Sequence, residues 1–343
     1  MICSAYFRAI DNLPYKAFWM DSELTFTDIK RAAEVVGKSK YVVRTPLIRV
    51  NSQMFDISED IELYLKMEGM QNQGSFKMRG VVNMMENISN LKEDGREYVT
   101  LSSGNFGRSF AYMCRELGLK GRVLMPVTAP DNREFLIRSF GLEVERLPTS
   151  QLQQTIDKYV AERGMVFMNS IDGLHLIAGH GTVGVEIMED LKDVDIVVVC
   201  CGGGGLLAGT TAAIKLSGQG DNIRVIGVEP ECACTMHLSL KAGEPLIKRD
   251  VESIAAGLAP PYVGKNAFKI VNKFVESIVL VSEEEIREGV KVLYENGLVV
   301  EASGAAAFAA LKVGKITGAS RKKVVLTISG SNTSPAELMK LLK

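Results

Sequence analysis

The sequence predicts an α/β protein of two domains built on twisted, mostly parallel sheets. Strand-like and helix-like segments alternate for most of its length, the pattern of parallel sheets with crossover helices. The β-branched run Ile196-Val197-Val198-Val199 leads through Gly202-Gly203-Gly204-Gly205 into the helix formers Leu206-Leu207-Ala208. A second strand, loop and helix begins at Tyr98-Val99-Thr100-Leu101, turns through Ser102-Ser103-Gly104-Asn105, and continues with Phe106, Phe110, Met113, Cys114 and Leu117 at helical spacing.

Further strands are expected at Arg122 to Met125, Val166 to Met168, Arg224 to Val228, Ile278 to Val281 and Lys323 to Ile328, with amphipathic helices between them. A length of 343 residues suits two domains, each with its own apolar core. Forty basic against forty-one acidic side chains leave a formal charge of -1, so nothing builds the positive field that nucleic acid or an anionic membrane surface requires. No run of eighteen apolar residues appears, and Arg8, Asp11, Lys16 and Asp21 interrupt the N-terminal stretch, so a cytoplasmic protein is expected. The six cysteines contain no CxxC pair and read as reduced thiols. His175, His180 and His237 show no metal-binding spacing, which argues against a zinc hydrolase.

Open parallel sheets bind ligands outside the carboxyl ends of their strands, so the chemistry is sought in the loops there. Four consecutive glycines permit close backbone approach, and the free N–H groups of the helix that follows make an anion site suited to phosphate. That signal is shared, because Gly203-x-Gly205-x-x-Ala208 also satisfies the loose dinucleotide fingerprint, with Glu229 as a candidate ribose acid, and a nicotinamide dehydrogenase remains an alternative. Lys77, in Gln73-Gly74-Ser75-Phe76-Lys77-Met78-Arg79-Gly80, is unremarkable alone. Beside a phosphate cradle it completes the pair of attachments, one covalent and one ionic, that pyridoxal phosphate needs.

Gly-Ser-Phe-Lys-x-Arg-Gly, Ser-Ser-Gly-Asn, the tetraglycine loop and the C-terminal Ser-Gly-x-Asn occur here in one order. In that order and spacing the chain resembles the fold-type II (tryptophan synthase β-like) pyridoxal-phosphate enzymes, in particular the serine racemase and serine/threonine dehydratase subgroup. The resemblance runs from about Leu24 to the end and includes Arg44 to Leu47, Leu63 to Glu68, Ile177 to Thr182, Ile254 to Ala259 and Glu301 to Ala305. It implies that Lys77 carries the cofactor as a Schiff base and then removes the substrate's α-proton. Phe76 would pack beside the ring, Asn105 bond its phenolic oxygen, and Gly202, Gly203, Gly204, Gly205 and Leu206 hold its phosphate. Ser102, Ser103, Gly104, Asn105 and Phe106 would grip the substrate carboxylate. Ser329 would face the pyridine nitrogen and Glu301 would lie near the ring. A hydroxyl at that nitrogen makes the ring a weaker electron sink, which favours prompt loss of a β-substituent.

Several positions depart from the subgroup. Phe106 stands where His is usual, Ala256 replaces an Asp, and Ser331 replaces a Gly. Ser103 matches the second acid/base of racemases. A divalent cation, Mg or Ca, would be held by Glu229 and the carbonyl of Ala233, but Thr235 occupies the third ligand's aspartate position. The sequence ends soon after Ser329, so an appended regulatory domain is not expected, and Phe7, Tyr15, Phe18 and Trp19 lie outside the core of the resemblance.

The resemblance thus implies a large domain from residues 1–90 and 177–343, a small mobile domain from 91–176, the cofactor between them, and a homodimer. The activity implied is α,β-elimination from a β-hydroxy amino acid such as serine, threonine or a hydroxyaspartate, with racemisation as a companion. The alternative is β-replacement on an O-activated serine.

Overall fold

A computed structural model describes residues 23–92, 95–248 and 251–343. Cys3 and the N-terminal aromatic residues singled out above lie outside the described residues. The chain opens with α1 (Phe26–Lys38), whose Thr25 cap and Asp28 form a reciprocal capping box. There follow β1 (Leu47–Val50), β2 (Glu62–Lys66), α2 (Lys77–Glu86), β3 (Glu97–Leu101), α3 (Asn105–Leu117), β4 (Lys120–Pro126), α4 (Asp131–Arg138) and β5 (Glu143–Leu147). Next come α5 (Thr149–Arg163), β6 (Val166–Phe167), α6 (Leu174–Asp190), β7 (Ile196–Cys200), α7 (Gly205–Lys215), β8 (Arg224–Pro230) and α8 (Thr235–Ala242). The last are α9 (Lys265–Phe274), β9 (Ser277–Val281), α10 (Glu283–Glu295), α11 (Ala302–Lys312), β10 (Lys323–Thr327) and α12 (Pro335–Leu341).

The chain divides into two compact units, one holding Met84–Ser170 and the other Thr25–Asn83 with Ile171–Lys343. These crossings fall six or seven residues before those expected, in part because residues 171–176 already serve α6, which starts at Leu174 and packs on α7. The smaller unit holds a four-stranded parallel sheet in the order β5-β4-β3-β6. Its core joins Val99 and Leu124 of the sheet to Leu152, Ile156, Tyr159 and Val160 of α5. The larger unit holds a six-stranded sheet in the order β1-β2-β10-β7-β8-β9, parallel except for β1, which pairs antiparallel with β2.

Central β7 is buried along its whole length, as a strand covered on both faces must be, which is why its apolar run was legible. Strands β1, β2 and β5 were not. The edge strands β1 and β5 expose charged residues, and β2 begins and ends in charges, Glu62 and Lys66. Among the described residues no helix is long and apolar enough to cross a membrane.

Sheet order places the chemistry. Strands β2, β10 and β7 are neighbours and mutually parallel, so the segments leaving their carboxyl ends emerge side by side. Those segments are the turn to Lys77, the block Ser329 to Asn332, and the tetraglycine loop.

Candidate active site

In the larger unit, Lys77 opens α2 after a sharp reversal at Gln73 and Gly74, both at positive φ. Gly74 is required there, since a Cβ would lie 2.9 Å from Asn332 Cγ and closer still to its amide oxygen. The turn is stitched to the segment after β10. Phe76 N donates to Ser329 O (3.2 Å), Ser331 N to Gly74 O (2.9 Å) and Asn332 Nδ2 to Gln73 O (2.7 Å). Blocks some 250 residues apart, at Lys77 and at Ser329, thereby become one structure.

Lys77 Nζ lies 4.8 Å from the centre of the Phe76 ring. Burial pushes its amine down to about 8 from the usual 10.5, opposed only in part by the Cys200 thiol. Cys200 ends β7, hydrogen-bonds with Ser329, and is pushed up to about 11, chiefly by burial, so it stays a neutral thiol. Glu301 sits at the N-cap of α11 without capping it, and its N–H donates to Gly330 O at 3.2 Å.

The tetraglycine loop runs from β7 into α7. Gly204 has φ +95°, and a Cβ there would meet Met236 Cε at 2.6 Å and Ala267 Cβ at 2.9 Å. Side chains at Gly202 and Gly203 would strike Gly257 O at 2.8 Å and Ile171 Cγ2 at 2.5 Å. No side chain caps α7. Among the described residues the N–H groups of Gly203, Gly204, Leu206 and Leu207 donate to no protein acceptor. Four open donors at a helix head, with no side chain to fill the space, fit a phosphate group, and Lys77 fits an aldehyde. The residues present therefore suit pyridoxal phosphate.

Glu229, expected to hold a divalent cation, is engaged otherwise. Both carboxylate oxygens of Glu229 accept from the head of α8, from Met236 N and His237 N, each at 2.8 Å. Burial outweighs these bonds and raises its carboxyl to about 8. No group of three candidate ligands exists among the described residues, and the Thr235 hydroxyl is buried without a partner. Glu229 thus caps α8, and nothing among the described residues supports a divalent ion at Glu229 and the Ala233 carbonyl.

In the smaller unit, the loop after β3 is organised by Ser102, whose Oγ accepts from Gly104 N (3.3 Å) and Gly107 N (3.1 Å). Gly107 lies so near Ser102 O that a Cβ would overlap it. Helix α3 starts without a side-chain cap, and the Phe106 N–H has no protein acceptor among the described residues. Phe106 is 2% exposed, so its ring is packed in the core. Ser103 is half-buried and Asn105 opens α3. Ser331, a departure noted above, bonds Gly69 O at 2.8 Å and serves the turn. Ala256 stands exposed on a short turn.

Sequence reasoning missed a buried quartet behind Lys77. Arg79, fully buried, meets Glu68 and Glu186, while Lys66 Nζ binds Glu186 at 2.6 Å and Thr45 O at 2.8 Å. A charged residue on an otherwise apolar helix face, at Arg79, was the available signal.

The family described as pyridoxal-phosphate dependent enzyme matches residues 38–330. The catabolic L-threonine dehydratase of Escherichia coli (strain K12) is 39% identical over 276 residues, covering 79% of this chain and 83% of that protein. The phenylserine dehydratase of Ralstonia pickettii is 31% identical over 316 residues, 91% of this chain and 95% of that protein. Among solved structures, the serine racemase from Dictyostelium discoideum superposes with a TM-score of 0.79 at 31% identity, covering 91% of this chain and all of that one.

Proposed function

The chain belongs to the pyridoxal-phosphate-dependent enzyme family, and from that premise we propose that it is a lyase acting by α,β-elimination on a β-hydroxy amino acid such as serine, threonine or a hydroxyaspartate. The observation that carries the residue assignment is the stitching of the Lys77 turn to the Ser329 segment beside an open glycine cradle.

The cofactor, when bound, supplies the electron sink that makes the α-proton of the amino acid removable. Lys77 is the base. Its burial leaves part of the amine neutral near neutral pH, able to take a proton at Nζ and return it. The N–H groups of Gly203, Gly204, Leu206 and Leu207 hold the phosphate anion, and Phe76 packs beside Lys77. The Phe106 N–H at the head of α3, with the Ser102 to Asn105 loop, receives the substrate carboxylate. Ser329 and its partner Cys200 are both neutral, so no carboxylate serves the ring nitrogen, and loss of the β-substituent is favoured. The substrate gives up its α-proton and its β-hydroxyl as water. The resulting enamine takes up water and releases ammonia, leaving a 2-oxo acid.

Ser103, whose hydroxyl makes no hydrogen bond among the described residues, is the second acid/base for any racemisation. Holoenzyme incubated with a panel of amino acids should release 2-oxo acid and ammonia from β-hydroxy substrates, while chiral analysis of recovered substrate measures racemisation. Turnover confined to O-activated serines with an added nucleophile would instead identify a β-replacement synthase. The homodimer is read by light scattering on the same sample.

A further inference from the structure

His180 lies in the middle of α6 and is 0% exposed; among the described residues neither ring nitrogen makes a hydrogen bond of good geometry, and the backbone of Gly205 is the polar group set against the ring. Its ring meets Phe76 edge to face, with centroids 4.7 Å apart and planes at 68°. On one side, a Cβ built at Gly80 of α2 would lie 2.5 Å from Nε2. On the other, a Cβ built at Gly205, the first residue of α7, would lie 3.2 Å from Nδ1. One side chain thus touches the aromatic beside Lys77, the opening turn of its helix, and the head of the glycine cradle.

An apolar ring would fill the same volume without burying two polar nitrogens, so packing alone does not account for histidine. We propose that His180 is a positioning residue: its ring nitrogen facing Gly205 orients the glycine loop while its face carries Phe76, so that both cofactor attachments share one prop. This rests on the pyridoxal-phosphate reading above. Burial holds the basicity of His180 well below the ordinary histidine range, and the nearby charges of Lys77 and Arg79 act in the same direction, outweighing the Gly205 backbone contact, which favours a ring N–H that donates. The charged groups around it are Lys77 and Arg79 from α2, with Cys200 of β7 acting on Lys77 in turn.

The test compares cofactor affinity, the ³¹P resonance of the bound phosphate and thermal stability in wild type, His180→Phe, His180→Met and His180→Gln. The Phe variant should melt no lower than wild type yet bind pyridoxal phosphate about tenfold more weakly, with a displaced ³¹P resonance. The Gln variant, which restores a polar atom, should bind within about threefold of wild type and at least fivefold more tightly than the Met variant of similar volume. If the Phe variant does not fold, the Gln and Met pair decides alone. Equal affinity and an unchanged ³¹P resonance across the folded variants would overturn the inference while leaving the cofactor reading intact. Failure of the wild type to bind pyridoxal phosphate would overturn both.

Discussion

Arg79 and Glu186 face each other through two parallel hydrogen bonds, Nη1 to Oε1 at 2.7 Å and Nη2 to Oε2 at 2.8 Å, with the guanidinium fully buried. The remaining Arg79 donors reach Glu68 by two bonds of 2.8 Å and Thr182 Oγ1 at 3.1 Å, so the fork is satisfied on both sides. With Lys66 included the cluster is electrically balanced, and it holds α2 two residues beyond Lys77. Removing one partner strands the others without water. Arg79→Met should therefore cost about 3–5 kcal/mol, read from urea unfolding, whereas replacing the whole quartet with apolar residues of matching volume should cost far less.

Lys77→Ala should abolish the visible absorbance of the holoenzyme and lower turnover by at least about 10² to 10⁴, the range of a positioned acid/base. Because burial holds the amine near 8, the rate at which unloaded protein takes up cofactor should climb with pH and level off above about 8. The same group predicts a stability effect. Its folded value lies below the unfolded one, so the unfolded chain binds more protons between about 8 and 10.5, and stability rises with pH across that window. Lys77→Met should stabilise the unloaded protein at pH 7, with an advantage that fades toward pH 10.5.

Gly204→Ala should destabilise by about 1–3 kcal/mol and weaken cofactor binding, because φ +95° is strained for alanine and the new methyl meets Met236 and Ala267. Gly104→Ala is the control. A Cβ there has nothing within 4 Å and its φ is -117°, so the urea midpoint should hardly move.

Chelation should leave the cofactor absorbance and the melting temperature unchanged, since Glu229 is engaged with the head of α8. Glu229→Ala should cost about 1–2 kcal/mol through the lost cap. With a folded value raised to about 8, Glu229 contributes stability that is full below about 4.5 and is lost as pH rises through about 8. Glu229→Gln should flatten that decline, seen by comparing urea midpoints of the two proteins across the same pH range.

Much of this was legible in the chain. Parallel strands β7, β8 and β10 announce themselves because burial on both faces demands unbroken apolar runs, and glycines announce tight turns because no other residue fits at Gly204. Lys77 and the tetraglycine loop were recognisable as a pair of attachments. Strands β1, β2 and β5 were hidden by the charges along them or at their ends. The helix-capping role of Glu229 was not legible because a carboxylate beside a proline reads alike whether it binds an ion or caps a helix, and only the packed chain brings the head of α8 to 2.8 Å from it.

The sequence by itself determined the fold class, the cofactor family and the lysine, since local periodicity and short ordered blocks encode them. Tertiary structure alone decided which distant groups meet: Ser329 with Cys200, Asn332 with Gln73, and Arg79 with Glu186. It also decided how basic Lys77 is and that His180 is far less basic than an ordinary histidine. The physical reason is that burial and the field of neighbouring charges are properties of the packed chain, and residues far apart in sequence acquire them only when β2, β10 and β7 lie side by side.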